Sequence, residues 1–464
     1  MKTLTDYDKL ISNVRHIHLI GIGGSGMSPL AEILLSRGYI LTGSDNNPSY
    51  TLDRIKDLGI PVHMGQSADN IGDDTELVIY SAAIMADNPE LAEARRRGIP
   101  TLERSFLLGA LTRRFDDVIG VCGTHGKTTV TSMVTQILLE AKLDPSAVIG
   151  GMLPALHSNC VVGRSDILVC ESCEYVDTFL KMSPDVAVLL NVDNDHMEYF
   201  KTMDNLIASF AKFIGSATKA AIVNGDDPDS MKAARAVEKE LITFGVSEKN
   251  DYYPANLEYV NGSFGKFDLM HKGEKVCSVR LGVPGHHNVP NAVAAAAAAL
   301  YVGASPEAVA AGLDKFTGAK RRFEILYNEN GVTIADDYAH HPSELRATLE
   351  TAKSLNHKRV VAVFQPFTFS RTAMLLDEFA EVLSIADKVV LSQIMGSREV
   401  NTYGIHSSDL AAKIDGCECF DTFEEIAQYI ADNARDGDLI ITLGCGDIYK
   451  AAKIMIKRLK ENKN

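Results

Sequence analysis

The segment at positions 118–129, VIGVCGTHGKTT, constrains the fold more than any other part of the chain. Its β-branched start predicts a buried strand, and a glycine turn, Lys127 and two threonines then lead into a helical stretch. Glycines let backbone N–H groups surround phosphate oxygens, and the start of a helix adds a positive dipole. Lys127 supplies a positive charge, and Thr128 can bind Mg²⁺. The segment therefore predicts a phosphate site between a strand and a helix, with ATP as the expected ligand.

Length and composition favour a multidomain globular protein. The chain has 464 residues, of which 46% are hydrophobic and 23% are charged, and roughly 150 residues per domain gives about three domains. No apolar run reaches the ~18 residues that span a bilayer, and the N-terminal residues do not resemble a secretory signal, so we expect a cytoplasmic protein without membrane insertion. A net charge of -15 disfavours a nucleic-acid surface. Eight scattered cysteines favour reduced thiols.

The first segment has the pattern of a βαβ unit around a second glycine loop. A strand at 16–20 is followed by GIGGSG at 21–26, a helix, and a strand that ends near Ser44 and Asp45. The loop fits G-x-G-x-x-G, and Asp45 lies about 20 residues further on, where a ribose-binding acid is expected. Another strand, at 77–80, ends at Ser81. Taken alone, this segment predicts a Rossmann-like domain with a dinucleotide site.

Two further segments repeat the alternation of strands and helices, so the predicted fold class is α/β with three domains. We expect a Rossmann-like domain at residues 1–114, a central P-loop ATPase-type domain with a parallel sheet at 115–319, and a Rossmann-like domain at 320–464. The predicted strands of the second and third segments lie at 167–170, 186–191, 220–224, 332–336, 360–364, 388–391 and 438–443. An alanine-rich helix at 292–302 is expected near the end of the central domain.

Acidic residues and a histidine follow two strands downstream of the phosphate loop. The sequence CESCE at 170–174 ends in Glu174, and NVDNDH at 191–196 ends in His196. Parallel strands place such residues at the edge of the sheet where ligands bind, and ATP chemistry requires Mg²⁺ held by few protein ligands. Glu174 and His196 are therefore candidate Mg²⁺ ligands.

These motifs together resemble the Mur ligases, which are ATP-dependent amide-forming enzymes of bacterial cell-wall precursor synthesis. GTHGKTT resembles the family's nucleotide loop, and ESCEY and NxxxDH resemble its Mg²⁺ motifs. The resemblance implies catalytic roles for Lys127, Glu174 and His196, and Mg²⁺ binding by Thr128, Glu174 and His196. The family's G-x-H-N-x-x-N signature is similar to GHHNVPN at 285–291. The implied ATP-binding residues are Gly123, Thr124, His125, Gly126, Lys127, Thr128, Thr129, His287, Asn288, Asn291 and Arg322.

The resemblance also changes the expected ligand of the first glycine loop. In the family the N-terminal domain holds the UDP part of the substrate, whose diphosphate needs the same backbone cradle as a dinucleotide. The implied UDP-substrate residues are Gly21, Gly23, Gly24, Ser25, Gly26, Ser44, Asp45 and Ser81.

The sequence DDYAHHP at 336–342 resembles a signature of the branch of the family that adds L-alanine. It implies an amino-acid pocket with Tyr338, His340, His341 and Arg371. The family commonly has histidine after Gln-Pro, where this chain has Phe367, so one polar contact of that pocket is in doubt.

The implied reaction joins L-alanine to the carboxylate of UDP-N-acetylmuramate through an acyl phosphate, in peptidoglycan precursor synthesis, by a monomer or weak homodimer. A ligase that recycles peptidoglycan by attaching a preformed peptide is an alternative within the family. An NAD-dependent oxidoreductase built on the first glycine loop, and an ATP-gated switch, are alternatives of other classes. They account for fewer of the motifs.

Overall fold

The structure is a computed structural model that describes residues 4–397 and 399–461. The density of internal contacts divides the chain into two compact units. The first contains residues up to 256 together with 267–279 and 290–316, and the second contains 257–266, 280–289 and the chain from 317 onward. The predicted domain boundaries at 114/115 and 319/320 stay a prediction.

The first sheet lies in the first unit and has five parallel strands in the order β3-β2-β1-β4-β5. Its strands are β1 (His16–Ile20), β2 (Ile40–Asp45), β3 (Val62–Met64), β4 (Leu77–Tyr80) and β5 (Thr101–Glu103). The accompanying helices are α1 (Asp6–Asn13), α2 (Ser28–Ser36), α3 (Tyr50–Asp57), α4 (Pro89–Arg96) and α5 (Arg104–Thr112). This order is the doubly wound arrangement that the sequence pattern predicts.

The second sheet has ten strands in the order β15-β14-β13-β12-β11-β10-β6-β9-β7-β8. Its strands are β6 (Asp117–Cys122), β7 (Ser146–Leu153), β8 (Ser158–Val161), β9 (Ile167–Glu171), β10 (Val186–Leu189), β11 (Ala220–Asn224), β12 (Glu240–Phe244), β13 (Tyr252–Val260), β14 (Phe264–His271) and β15 (Glu274–Pro284). Its helices are α6 (Lys127–Glu140), α7 (Met197–Phe200), α8 (Met203–Gly215), α9 (Pro228–Ala233), α10 (Asn288–Tyr301) and α11 (Pro306–Lys315). Strand β6 lies between β9 and β10, parallel to both, so the residues that follow these three strands meet at one edge of the sheet.

The third sheet lies in the second unit and has six strands in the order β16-β17-β21-β18-β19-β20. Its strands are β16 (Glu324–Glu329), β17 (Val332–Asp337), β18 (Arg359–Phe364), β19 (Lys388–Leu391), β20 (Glu418–Cys419) and β21 (Asp438–Leu443). The helices are α12 (Pro342–Ser354), α13 (Phe369–Met374), α14 (Leu376–Leu383), α15 (Ser407–Ala411), α16 (Phe423–Asn433) and α17 (Tyr449–Glu461). All its paired strands are parallel except β16, which runs antiparallel to β17.

Both faces of strand β18 are buried, which accounts for its unbroken apolar sequence. Val360, Ala362 and Phe364 belong to one hydrophobic core, whereas Val361 and Val363 belong to another. Successive side chains of a strand point to opposite faces, and helices cover both faces of a parallel sheet. Both faces are therefore buried, and the period-two pattern of a half-exposed strand disappears. The α/β fold class predicted from the sequence is confirmed.

None of the helices in residues 4–397 and 399–461 combines the length and the apolar character that a membrane span requires. The longest have 14 residues.

A buried carboxylate joins the beginnings of three central strands. Asp185 is 3% exposed, and its Oδ2 accepts a hydrogen bond of 2.9 Å from the backbone N–H of Val118 at the start of β6. Its backbone carbonyl accepts from Lys219 and Ala220 at the start of β11. Thr218 donates its hydroxyl to the other carboxylate oxygen. Asp185 therefore fixes the positions of the strands that carry the phosphate loop.

Asp185→Ala should lower the free energy of unfolding by about 1–3 kcal/mol, because the Val118 N–H loses its acceptor inside the protein. Urea denaturation followed by circular dichroism measures this change. Asp166→Ala is the matched control, since Asp166 precedes the neighbouring strand β9, is exposed, and its side chain makes no hydrogen bond with any residue that the structure describes. Equal midpoints for the two variants would contradict the role of Asp185.

Candidate active site

The phosphate loop joins β6 to α6 through residues 123–126, where two glycines adopt conformations that other residues avoid. Gly123 has φ of 135° and Gly126 has φ of 85°. A Cβ atom on Gly126 would lie 2.8 Å from Oδ1 of Asn291, so this predicted nucleotide residue lies directly against the loop. The backbone N–H groups of residues 126–129 donate to no protein atom among the described residues. The loop therefore presents successive free N–H donors, as a phosphate cradle requires.

Lys127 is held at the centre of this loop. Its Nζ donates to the carbonyl oxygen of Thr124 at 3.0 Å, and it lies 3.0 and 2.9 Å from the two carboxylate oxygens of Glu174. Burial lowers the pKa of the ammonium group and is the largest single effect on it, but the charge and hydrogen bond of Glu174 together with Cys173 and Glu171 outweigh burial, so the net pKa is above its ordinary value. Lys127 therefore stays positively charged at neutral pH.

Thr128, the next residue, contacts a second carboxylate. Its Oγ1 donates to Oε2 of Glu171 at 2.8 Å, and the same oxygen accepts from the backbone N–H of Gly150 at 2.9 Å. A Cβ on Gly150 would lie 2.4 Å from that oxygen, so only glycine allows this approach. Glu171 ends β9, and its carboxylate is thereby fixed beside the start of α6.

The end of β10 anchors the other side of the loop. Asn191 accepts from the backbone N–H of His125 at 2.8 Å and donates to its carbonyl at 3.1 Å. Asp193 contacts the imidazole of His125 at 2.9 Å, and its backbone N–H donates to Oγ1 of Thr124 at 2.9 Å. Thr124 and His125 are thus fixed by contacts to residues after the neighbouring strand. The backbone of the cradle has a defined shape without a ligand.

His196 lies beside Glu174, as the sequence predicts for two ligands of one ion. Its Nε2 is 3.9 Å from Oε1 of Glu174 and 3.8 Å from Oδ2 of Asp195. The residue has φ of 57°, an uncommon backbone conformation for a residue other than glycine. Its ring contacts Tyr175, with a centroid distance of 4.9 Å. A short turn before α7 therefore aims the imidazole towards the loop.

The side chains of this cluster fit a divalent cation. Glu174 is 1% exposed, and its Oε2 accepts no well-aligned hydrogen bond although Lys127 Nζ lies 2.9 Å away. A second cation beside a buried carboxylate that has one positive neighbour further stabilises its negative charge. Carboxylate and hydroxyl oxygens suit Mg²⁺, which keeps several water ligands and takes few from the protein. Glu174, Thr128 and His196 could therefore hold this ion.

The first glycine loop follows β1 and is organised by Asp45. One carboxylate oxygen of Asp45 accepts from the N–H of Gly23 at 2.9 Å, and the other accepts from Asn47 at 3.0 Å. Both oxygens therefore hold protein backbone, whereas the dinucleotide interpretation expects them to meet a ribose. Ser44 contributes its carbonyl oxygen, which accepts from Gly21 at 2.8 Å. Its hydroxyl is buried and donates to Glu90 at 2.6 Å, so it faces the interior.

Ser25 and Gly26, at the end of this loop, face the second sheet. Asn159, in β8, donates its amide to the carbonyl of Ser25 at 2.6 Å. The N–H groups of Ser25 and Gly26 donate to no protein atom among the described residues. Ser81 follows β4, and its Cβ would be 3.6 Å from a Cβ on Gly21. Gly24 closes the turn by donating its N–H to the carbonyl of Gly21 at 3.1 Å.

In the second unit, the predicted amino-acid residues follow β17. His340 Nδ1 lies 3.0 Å from the carbonyl oxygen of Tyr338 and 3.3 Å from Glu344. His341 is the N-cap of α12, where its ring accepts from the N–H of Ser343 at 3.4 Å. Burial raises the pKa of Asp337 to about 6. Tyr338 and His340 pack edge to face, with centroids 5.5 Å apart.

Two adjacent arginines of this unit differ in their surroundings. Arg321 donates to Asp336 at 2.9 Å and to the carbonyl oxygens of Gly444 and Gly446. Its guanidinium therefore stabilises the sheet edge. Arg322 lies over the ring of Tyr338, 5.1 Å from its centroid.

The other predicted residues of this unit lie on α10, α13 and the turn before α10. Asn288 donates its amide to the carbonyl of Pro284 at 2.6 Å, which anchors the start of α10. His287 packs beside Gly285, where a Cβ would lie 2.6 Å from the ring. Arg371 lies in α13. Burial raises the pKa of the Cys445 thiol, and the nearby charge of Arg371 offsets part of that rise. Phe367 forms an isolated parallel β-bridge with Met395. The backbone N–H of the next residue, Thr368, donates to the carbonyl oxygen of Met395 at 3.0 Å.

Sequence reasoning missed three residues that shape the two loops. Asn191 and Asp193 fix the phosphate loop, and their position directly after the apolar run of β10 was a usable signal. Arg104 lies beside the first glycine loop, with Nη1 3.1 Å from the position of a Cβ on Gly26. Its contact with Gly26 joins residues 78 positions apart, for which the sequence carries no local signal.

Three family models match successive parts of the chain. "Mur ligase family, catalytic domain" matches residues 16–116, "Mur ligase middle domain" matches 121–299, and "Mur ligase, glutamate ligase domain" matches 321–446.

Several relatives align with this chain over nearly its full length. The UDP-N-acetylmuramate--L-alanine ligase of Agathobacter rectalis is 44% identical over 449 residues, which are 96% of this chain and 98% of that protein. The crystal structure of UDP-N-acetylmuramate-alanine ligase from Thermotoga maritima aligns with a TM-score of 0.81 at 28% identity, over 96% of this chain and 99% of that one. A murein peptide ligase from Psychrobacter arcticus, at 24% identity and a TM-score of 0.74 over 96% and 98% of the two chains, shares the fold. The matched family models, the extended identity and the two glycine loops place this chain in the Mur ligase family.

Proposed function

We propose that this Mur ligase joins L-alanine to the carboxylate of UDP-N-acetylmuramate, using ATP and Mg²⁺, through an acyl phosphate. The observation that carries the proposal is the arrangement of Lys127, Glu174 and His196 around four free backbone N–H groups at one sheet edge. The alanine-adding ligases among its relatives, at 44% identity in Agathobacter rectalis, support the choice of substrates.

The residues of the phosphate loop perform the binding and charge neutralisation of the first step. A carboxylate does not react with an amine, so its oxygen must first receive the γ-phosphoryl group of ATP. The free N–H groups of residues 126–129 bind phosphate oxygens, and Lys127 exchanges its contacts with Thr124 and Glu174 for the transferring phosphoryl group. Thr128, Glu174 and His196 would hold Mg²⁺, which would neutralise phosphate charge at this site.

The second step needs the amino acid. The amine of L-alanine attacks the acyl phosphate, the C–N bond forms, a base takes one proton from the amine nitrogen, and inorganic phosphate leaves with the bonding electrons of the C–O bond. Tyr338, His340 and Arg371 are the residues proposed for the amino-acid pocket, where an arginine fork matches the alanine carboxylate. The chain is proposed to act in the cytoplasm, where the nucleotide substrates are found.

The test is phosphate release from ATP and Mg²⁺ with UDP-N-acetylmuramate, with and without L-alanine. Release that requires both substrates supports the proposal. A preformed L-alanyl peptide that replaces L-alanine with higher kcat/KM would instead indicate the recycling activity. Release that is indifferent to the sugar nucleotide would indicate an ATPase or switch.

Lys127→Met should lower kcat for phosphate release by at least about 100-fold, because the transferring phosphoryl group loses its nearest protein cation. Lys127→Arg tests whether a charge of different shape restores part of the rate. The control is Lys142→Ala, since Lys142 is exposed just beyond the other end of α6. A Lys127→Met enzyme with more than half the parental kcat would refute the assigned role.

His196→Ala should raise the Mg²⁺ concentration for half-maximal activity by about 10-fold or more, because one proposed ligand of the ion is lost. A Mg²⁺ titration at saturating ATP measures the shift. His63→Ala serves as control, since His63 is exposed in β3 and lies outside the cluster. A fall in kcat with an unchanged Mg²⁺ requirement would remove His196 from the ion's ligands.

A further inference from the structure

A cavity of about 150 Å³ lies between the first glycine loop and the second sheet, within the first unit. The glycine loop contributes Ser25 and Gly26, and the start of α5 contributes Arg104 and Ser105. On the opposite side it is lined by Gly150, Glu171, Cys173 and Thr178. Glu171 is the carboxylate that accepts from Thr128 of the phosphate loop. The cavity thus extends from one glycine loop to the residues that contact the other.

Arg104 is the cation in the lining of this cavity. Its guanidinium packs on Gly26, because a Cβ there would lie 3.1 Å from Nη1, 3.3 Å from Cζ and 3.4 Å from Nε. A larger residue at position 26 would displace the arginine. Gly26, the last glycine of the loop, therefore brings a guanidinium group next to the backbone of a phosphate-binding turn.

The guanidinium of Arg104 has no hydrogen bond or ion pair with any described residue. The other half-buried arginines of residues 4–116 all have partners. Arg54 pairs with Glu32, Arg97 donates to the carbonyls of Ile71 and Gly72, Arg113 pairs with Asp8, and Arg114 donates to Tyr39 and Ser12. Since a half-buried cation gains from an anionic partner, Arg104 is suited to a ligand.

The acidic residues near Arg104 do not pair with it. Glu171 accepts from Thr128 and Gly150, as described above. Glu103, the preceding residue, accepts from the hydroxyl of Ser105 through Oε2, and its Oε1 is buried without a hydrogen-bond partner among the described residues. Beside Arg104, the N–H groups of Ser25 and Gly26 also have no acceptor among the described residues. One guanidinium and two backbone N–H groups, all unused as donors among the described residues, therefore line one small space, and an anion with several oxygens would satisfy them together.

We propose that Arg104 binds the diphosphate of the UDP substrate, together with the backbone N–H groups of Ser25 and Gly26. This inference rests on the proposed function, because the UDP portion is the anion expected at the first glycine loop. The planar guanidinium fork matches two phosphate oxygens at once, whereas backbone donors alone supply no full charge. Arg104 is thus a substrate-binding residue that determines where the diphosphate lies.

Isothermal titration calorimetry with UDP and with UDP-N-acetylmuramate tests this assignment. In Arg104→Ala the Kd for both ligands should rise by about 10- to 100-fold, the loss expected for a charge-assisted hydrogen-bonding pair. Arg104→Lys should recover part of the affinity, because it restores the charge without the fork. The Kd for ADP should stay within about twofold of the parent's in every variant. Arg96→Ala removes the same charge from an exposed position of the same domain and should leave all three affinities unchanged.

The outcomes separate the two inferences. If the parent binds UDP and Arg104→Ala binds it equally well, the assignment of Arg104 is wrong while the proposed function stands. If only the affinity for UDP-N-acetylmuramate falls, Arg104 contacts the muramoyl end, which also overturns the diphosphate assignment. If the parent binds neither ligand, the proposed function itself fails. Should Arg104→Ala have a lower urea midpoint than the parent, Arg104→Lys and Arg104→Gln carry the comparison.

Discussion

The buried ion pair between Lys127 and Glu174 is the interaction on which the candidate active site depends. A buried carboxylate is costly without a compensating positive charge, and Lys127 provides that charge 2.9 Å away. The pair also joins two parts of the chain, since Lys127 begins the helix after β6 and Glu174 follows β9. Because β6 lies beside both β9 and β10, this one contact fixes the phosphate loop relative to the residues that could hold Mg²⁺. In the absence of nucleotide, the same contact keeps the lysine charged.

The second constraint on the site is the need for glycine at positions where other groups lie against the backbone of the loops. Gly126 has φ of 85° and leaves room for Asn291, while Gly150 allows the carboxylate of Glu171 to lie on its backbone. Gly26 does the same for the guanidinium of Arg104. In each case the missing side chain is replaced by a charged or polar group from a distant part of the chain. The glycines therefore determine which side chains can approach the loops, in addition to the turns that they form.

Much of the fold could be predicted from local sequence. The predicted and observed bounds agree for five strands, at 16–20, 77–80, 220–224, 388–391 and 438–443. Short apolar runs rich in β-branched residues and flanked by glycine or acidic residues are typical of buried strands. Other bounds moved by a few residues. The alanine-rich helix begins at Asn288, four residues before the predicted start, since Asn288 anchors its first turn on Pro284. The predicted grouping of Lys127, Glu174 and His196 agrees with their observed proximity, although their roles remain proposals.

The alternation of strands and helices, the two glycine loops and the family could be predicted from the amino-acid sequence, because these depend on residues close together in the chain. The folded chain was needed to show that the Ser44 hydroxyl faces Glu90, that Asp45 holds the glycine loop, that Arg321 supports a sheet edge and that His341 caps a helix. It was also needed to show that Arg104 lies against Gly26. These contacts could not be predicted because the hydrogen-bond partner of a polar side chain is set by packing. Which donor meets which acceptor depends on how the strands and helices are arranged, and residues far apart in sequence meet only after that arrangement has formed.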